Sequence, residues 1–172
     1  GQIVSDITGL TIIDDFRSSD IKAGGQGAPL APLFHSFLFG DEEEIRCVLN
    51  IGGIGNISIF KGEEVIAGYD TGPGNVLMDS WSMHNGIGPY DKNGDWARSG
   101  KLNDPLQMSL LEQDNFIEKS HPKSTGTDYY NIDFIIRAIK ECGQDIKPED
   151  VQRTLLEFTA GSFAFIGEDN IS

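Results

Sequence analysis

The chain has 172 residues, 27 of them acidic and 13 basic, for a formal charge of −14. That balance argues against nucleic acid and anionic membrane as partners, and no apolar run approaches the length of a membrane span. The length suits one domain with a real core, and Cys47 and Cys142, not in a metal-type spacing, are expected to be reduced thiols of a cytoplasmic protein.

Gly1 to Gly9 reads as a helix end or loop, and Leu10–Asp14, short, apolar and β-rich, as a strand. Asp14, Asp15, Arg17 and Asp20 then crowd a polar turn. For Asp20 the preferred reading is a local surface ion-pair cluster, worth roughly 0–1 kcal/mol per pair; for Arg17 a ligand contact stays equally open. Residues 23–30 carry three glycines and a proline, which excludes a regular helix or central strand. Within them Gln26, flanked by Gly25 and Gly27, offers an amide with two donors and one acceptor, and a flexible loop accounts for the segment just as readily. Residues 32–39 have apolar side chains at 33, 34, 37 and 38, which is helix spacing. His35 reads there as a helix-face or core histidine rather than a base. Gly40 to Glu44 is a charged turn and the expected boundary between two lobes.

Residues 46–80 organise the rest. They read as strand, glycine turn, strand, tight turn, strand, polar glycine-rich loop and helix. Cys47–Ile51 and Ile57–Phe60 are β-branched, apolar runs expected to be buried. Gly52, Gly53 and Gly55 lie between them. Glycine admits positive φ and has no Cβ to obstruct a ligand, and successive backbone N–H groups in such a turn form an anion-binding concavity. A plain hairpin turn accounts for Gly-Gly just as readily. Asp70-Thr-Gly-Pro-Gly-Asn75 follows the third strand, Glu64–Gly68. Asp70 is expected where that strand ends and a loop begins, a common place for catalytic side chains. The competing reading is an Asx-turn aspartate that shapes the loop. Gly72 and Gly74 remove bulk on both sides of Pro73, and Asn75 is placed to cap a helix from Val76.

That helix is expected to turn Leu77, Trp81 and His84 inward, with Asp79 at the surface or behind the site. Residues 86–101 read as a long irregular loop, made locally positive by Lys92, Arg98 and Lys101, in a structural or lid role. Asp104 with Pro105 starts a helix. Residues 121–126 form a turn with hydroxyls and one cation ahead of a helix over 132–140. Residues 148–165 read as a long helix with Val151, Leu155 and Phe158 inward.

Five segments, in order and covering nearly the whole chain, resemble the anhydro-N-acetylmuramic acid kinase family of the sugar kinase, Hsp70 and actin superfamily. They are Asp15-Phe-Arg17 with residues 23–30; Asn50-Ile-Gly-Gly-Ile-Gly-Asn-Ile57; Gly68-Tyr-Asp-Thr-Gly-Pro-Gly-Asn75; Pro89-Tyr-Asp-Lys92 with residues 96–101; and Pro122-Lys-Ser-Thr-Gly-Thr-Asp-Tyr-Tyr-Asn131. The resemblance implies an α/β, actin-like ATPase (ribonuclease H-like) fold: a mixed sheet flanked by helices, in an incomplete two-lobe architecture. Residues 1–44 would be the C-terminal part of the sugar-side lobe and 45–172 the N-terminal part of the nucleotide-side lobe.

The resemblance also implies a reaction. Water opens 1,6-anhydro-N-acetylmuramic acid, and O6 takes the γ-phosphoryl of ATP with Mg²⁺, as in cell-wall recycling. It assigns the base to Asp70 and sugar contacts to Arg17, Gln26, Gly27 and Asn75. Phosphate or nucleotide contacts fall to Asn50, Gly52, Gly53, Gly55, Asn56, Gly72 and Gly74; metal ligands stay unassigned. It allows a homodimer. The family's N-terminal phosphate motif and later adenosine motif are absent from these residues, so a partial chain with little activity of its own is expected. The other readings are a non-catalytic anhydro-sugar-binding module and an Hsp70- or actin-like nucleotide switch.

Overall fold

The computed structural model describes residues 1–25, 27 and 30–164. Gln26 and the expected end of the last helix at Phe165 lie outside the described residues. The elements are α1 (Gln2–Thr8), α2 (Phe16–Lys22), α3 (Ala31–Phe39), β1 (Ile45–Ile51), β2 (Ile54–Lys61), β3 (Glu64–Pro73), α4 (Val76–His84), a 3₁₀ turn (Lys92–Gly94), α5 (Asp95–Ser99), α6 (Asp104–Gln113), α7 (Ile132–Cys142) and α8 (Pro148–Ala164). Among the described residues the strands form one antiparallel sheet in the order β1-β2-β3. The class is α/β.

The core lies behind α8, where Val151, Leu155 and Phe158 recur at helical spacing and are buried. They meet Leu77 and Trp81 of α4, Leu106 and Leu110 of α6, and Phe134, Ile135 and Ala138 of α7. Trp81 satisfies its indole N–H on the Pro148 carbonyl at 2.9 Å, which ties α4 to the start of α8. Asn103 caps α6 by accepting from the Leu106 amide at 2.8 Å; the cap is one residue earlier than expected, because Asn103 is in extended backbone and Asp104 is already helical. Asn131 does the same for α7.

Several expectations fail, each for a tertiary reason. Residues 10–14 form no strand: no described strand pairs with them, and Leu10 and Ile13 are exposed. Cys47 is exposed, because β1 is an edge strand and most of its side chains stand uncovered. Residues 31–39 are helical, but Leu33, Phe34, Phe37 and Leu38 face outward, while Pro32 and Ser36 are buried. His35 anchors this helix, its Nδ1 lying 2.8 Å from the buried Ser58 Oγ of β2. His84 is exposed and stacks on Trp81 rather than entering the core. Residues 86–101 are not one irregular loop. The Asp91 carboxylate accepts from the Trp96 and Ala97 amides at 2.9 Å each and thereby starts the short helix α5.

Candidate active site

Asp70 does not sit at a strand end. β3 stays paired with β2 as far as Ile54 opposite Pro73, and a bulge leaves Thr71 as the extra residue between the Gly55–Gly72 and Asn56–Asp70 pairs. Bulges re-aim side chains, so the polar run beginning at 70 is carried within the sheet instead of in a free loop. Residues directly opposite in a ladder share a face. Asn50, Asn56 and Asp70 are partners across three strands and therefore form one polar rung.

A loop 54 residues further on grips the Asp70 carboxylate. Oδ2 accepts from Ser124 Oγ at 2.7 Å and from the Thr125 amide at 2.9 Å. Oδ1 has no hydrogen-bond partner among the described residues. The Asp70 amide donates to the Lys123 carbonyl at 3.1 Å, so the loop runs along the outer edge of β3. The loop is itself braced. The Lys123 ammonium donates to the carbonyls of Phe116 and Ile117 and lies over the Phe116 ring, 5.0 Å from its centroid. Burial holds the Lys123 pKa below the ordinary lysine value. Asp114 takes the amides of Phe116 and Ile117 on one oxygen and the Tyr130 hydroxyl on the other, at 2.7–2.8 Å. Sequence reasoning read residues 121–126 as a turn with hydroxyls and one cation but did not name Ser124 or Thr125. The hydroxyl pair in Lys-Ser-Thr-Gly was the available signal; its partner is visible only in three dimensions.

The glycine turn and the start of α4 are one unit. Gly52 O accepts from the Asn75 amide at 2.8 Å, and Gly53 O accepts from the amides of Gly74 and Val76 at 2.9 and 3.1 Å. These helix-leading N–H groups are thus occupied by the turn's carbonyls. Asn75 occupies the N-cap position, yet its side chain makes no capping hydrogen bond. It lines instead a cavity of about 500 Å³ with Met78, Asp79, Tyr90, Asp91 and Gly94. Burial raises the Asp79 pKa there.

The candidate glycines separate by what surrounds them. None of Gly52, Gly53 and Gly55 uses left-handed backbone, so the turn is not glycine-rich for conformational reasons. A Cβ on Gly55 would strike the Phe163 ring and lie 2.7 Å from Thr71 Oγ1, and one on Gly74 would strike the Gly52 carbonyl. Gly72 has φ +149° and would approach Ser162 Cβ to 3.0 Å. By contrast, a Cβ on Gly52 or Gly53 would meet nothing closer than 3.7 Å. Packing with α8 explains Gly55 and Gly72, close approach of the Gly52 carbonyl explains Gly74, and the remaining two would make only ordinary contacts.

On the N-terminal side, Arg17 Nη1 donates to the Gly27 carbonyl at 3.0 Å, and the Gly27 amide donates to Asp20 Oδ2 at 2.7 Å. Both charges clamp one buried glycine at φ +73°. The expected Asp20 surface ion-pair cluster does not form, since backbone groups satisfy both side chains. Among the described residues no hydrogen bond or ion pair links residues 1–27 to Asp70 or to the glycine turn. The structure thus brings together Asn50, Asn56, Asp70 and the two loops, and leaves Arg17 and Gly27 as a separate cluster. Among the described residues no group of three or more His, Cys, Asp or Glu side chains could hold a metal ion, and no helix is long and apolar enough to cross a membrane.

A family model described as anhydro-N-acetylmuramic acid kinase matches residues 1–166. Proteins bearing that name are similar throughout: the one from Aliivibrio fischeri is 47% identical over 157 residues, 91% of this chain and 42% of its own length. Those from Saccharophagus degradans and a Sulfurovum species are 45% and 46% identical, over 91% of this chain and 42% and 43% of their own lengths. The chain spans about two fifths of these curated relatives. The family lies in the sugar kinase and actin-like ATPase superfamily, and three antiparallel strands with flanking helices are what part of one of its lobes provides. The chain belongs to the anhydro-N-acetylmuramic acid kinase family.

Proposed function

We propose that this protein opens 1,6-anhydro-N-acetylmuramic acid with water and phosphorylates the freed O6 from ATP, giving N-acetylmuramic acid 6-phosphate and ADP. Asp70 is the general base. It takes a proton from the attacking water through Oδ1 as the water oxygen bonds to the anomeric carbon. The anomeric bond to the bridging oxygen breaks, and that oxygen, now O6, receives the γ-phosphoryl group. The reading rests above all on one observation: the Asp70 carboxylate has Oδ2 fixed by two donors, while Oδ1 has no hydrogen-bond partner among the described residues.

Phosphoryl transfer depends mainly on positioning and charge neutralisation. The open Cβ positions of Gly52 and Gly53 fit close approach of nucleotide phosphates. Mg²⁺ is usually carried by substrate phosphates and one or two carboxylates. Asn56, the oxygen-bearing side chain opposite Asp70 on the polar rung, is the residue of this segment that would hold it. The ion supplies charge neutralisation on the phosphates when bound.

Residues 1–44 are assigned to the sugar-side lobe and residues 45–172 to the nucleotide-side lobe; Arg17, Gln26, Gly27 and, from the second lobe, Asn75 are the sugar contacts, and Asn50, Gly55, Gly72 and Gly74 also line the phosphate site. The protein is placed in the cytoplasm, where two unpaired cysteines are stable, and a homodimer is its proposed assembly. The 172 residues alone are proposed to have little or no activity. In the full-length protein, Asp70→Asn removes the base and lowers turnover by roughly 10²–10⁴-fold, with the fold intact by circular dichroism. Near-normal turnover in Asp70→Asn would overturn the assignment.

A further inference from the structure

The loop at 123–125 does more than cover the edge of β3. Both of its donors converge on a single oxygen of Asp70, Ser124 Oγ at 2.7 Å and the Thr125 amide at 2.9 Å. Two donors on one carboxylate oxygen fix the plane of the group, and the other oxygen has no hydrogen-bond partner among the described residues. The grip is rigid because its foundation is. Asp70 N–H on Lys123 O pins strand to loop, Lys123 Nζ pins the loop to residues 116 and 117, and Asp114 pins residues 116 and 117 to Tyr130. Ser124 is exposed, so its hydroxyl is not there to fill the core.

We propose that Ser124, with the Thr125 amide, is a positioning residue that orients the Asp70 carboxylate so that Oδ1 alone meets the attacking water. The inference rests on the reading of Asp70 as base. Ser124→Ala removes one of the two donors while the Thr125 amide remains, so the carboxylate stays near its place but loses a fixed plane. Orientation acts on the chemical step and not on sugar affinity, so kcat is the parameter affected.

The test compares Ser124→Ala, Ser124→Thr and Asp70→Asn in the full-length protein, using 1,6-anhydro-N-acetylmuramic acid and ATP as probes. The expected result for Ser124→Ala is a kcat lower by about tenfold, the worth of one charge-assisted hydrogen bond, with both KM values and the melting temperature unchanged. Ser124→Thr keeps the hydroxyl at an exposed position and restores kcat. An unchanged kcat in Ser124→Ala overturns the positioning role. So does a loss in which both KM values or the melting temperature move with kcat, or one that threonine fails to rescue. If Asp70→Asn is inactive and Ser124→Ala is normal, this inference alone fails; if Asp70→Asn keeps its turnover, the underlying assignment fails as well.

Discussion

Gly52 and Gly53 stand apart from the other glycines of the site because their backbone is ordinary and a Cβ there would make only ordinary van der Waals contacts. Alanine at 53 would touch only Val76 Cβ, at 3.9 Å, an ordinary van der Waals contact. Alanine at 72 would have to adopt φ +149° and press on Ser162. The two substitutions therefore separate fold from ligand. Gly72→Ala is expected to cost about 1–3 kcal/mol of stability, read as a lower urea midpoint. Gly53→Ala should leave stability within about 0.5 kcal/mol and raise KM for ATP in the full-length protein. A Gly53→Ala protein with normal ATP kinetics would remove that residue from the phosphate site. The glycine pattern was thus legible in the sequence as a motif. Its division into packing glycines and open glycines was not, since that depends on α8 arriving from 90 residues away.

At the scale of elements, local signals carried far. β2 and the helices α4, α6, α7 and α8 follow from β-branched runs, caps and apolar periodicity. What failed was burial, strand extent and long-range pairing. The 10–14 run lacked a partner strand, and the outward face of α3 could not be read from a pattern that says only which residues share a face. Nor did any local signal join Asp114 to Tyr130. That pair now has a consequence. Burial first, and then the hydrogen bond to Asp114, push the Tyr130 pKa far above the ordinary 10.0. Tyr69 is raised in the same direction by burial. Above about pH 10 the unfolded chain ionises these phenols while the folded chain keeps their protons, so folding stability falls as pH rises. Lys123 acts oppositely: its lowered folded pKa makes stability rise with pH only until the unfolded lysine titrates at 10.5. Beyond that point the tyrosines decide the slope. Urea unfolding across the alkaline range should show a decline approaching about 1.4 kcal/mol per pH unit from Tyr130, and Tyr130→Phe should remove most of it.

For the molecule as a whole, two surface properties oppose each other. The formal charge is −14, and like charge keeps copies apart. Yet Ile3, Ile7, Ile13, Phe16, Leu33, Phe34 and Phe37, all in the first 40 residues, are each at least 60% exposed. Exposed large apolar side chains favour association where they adjoin, unless something restrains them. The restraint here is electrostatic, so it weakens when charge is neutralised or screened. Near the sequence pI of about 4.4, or at neutral pH once salt shortens the Debye length to about 3 Å at 1 M, the 172-residue chain should self-associate. Light scattering against pH and against salt measures this directly. Phe34→Ser with Phe37→Ser should suppress the association without lowering the melting temperature, because neither ring is part of the core; association that persists undiminished in the double variant would place the adhesive surface elsewhere.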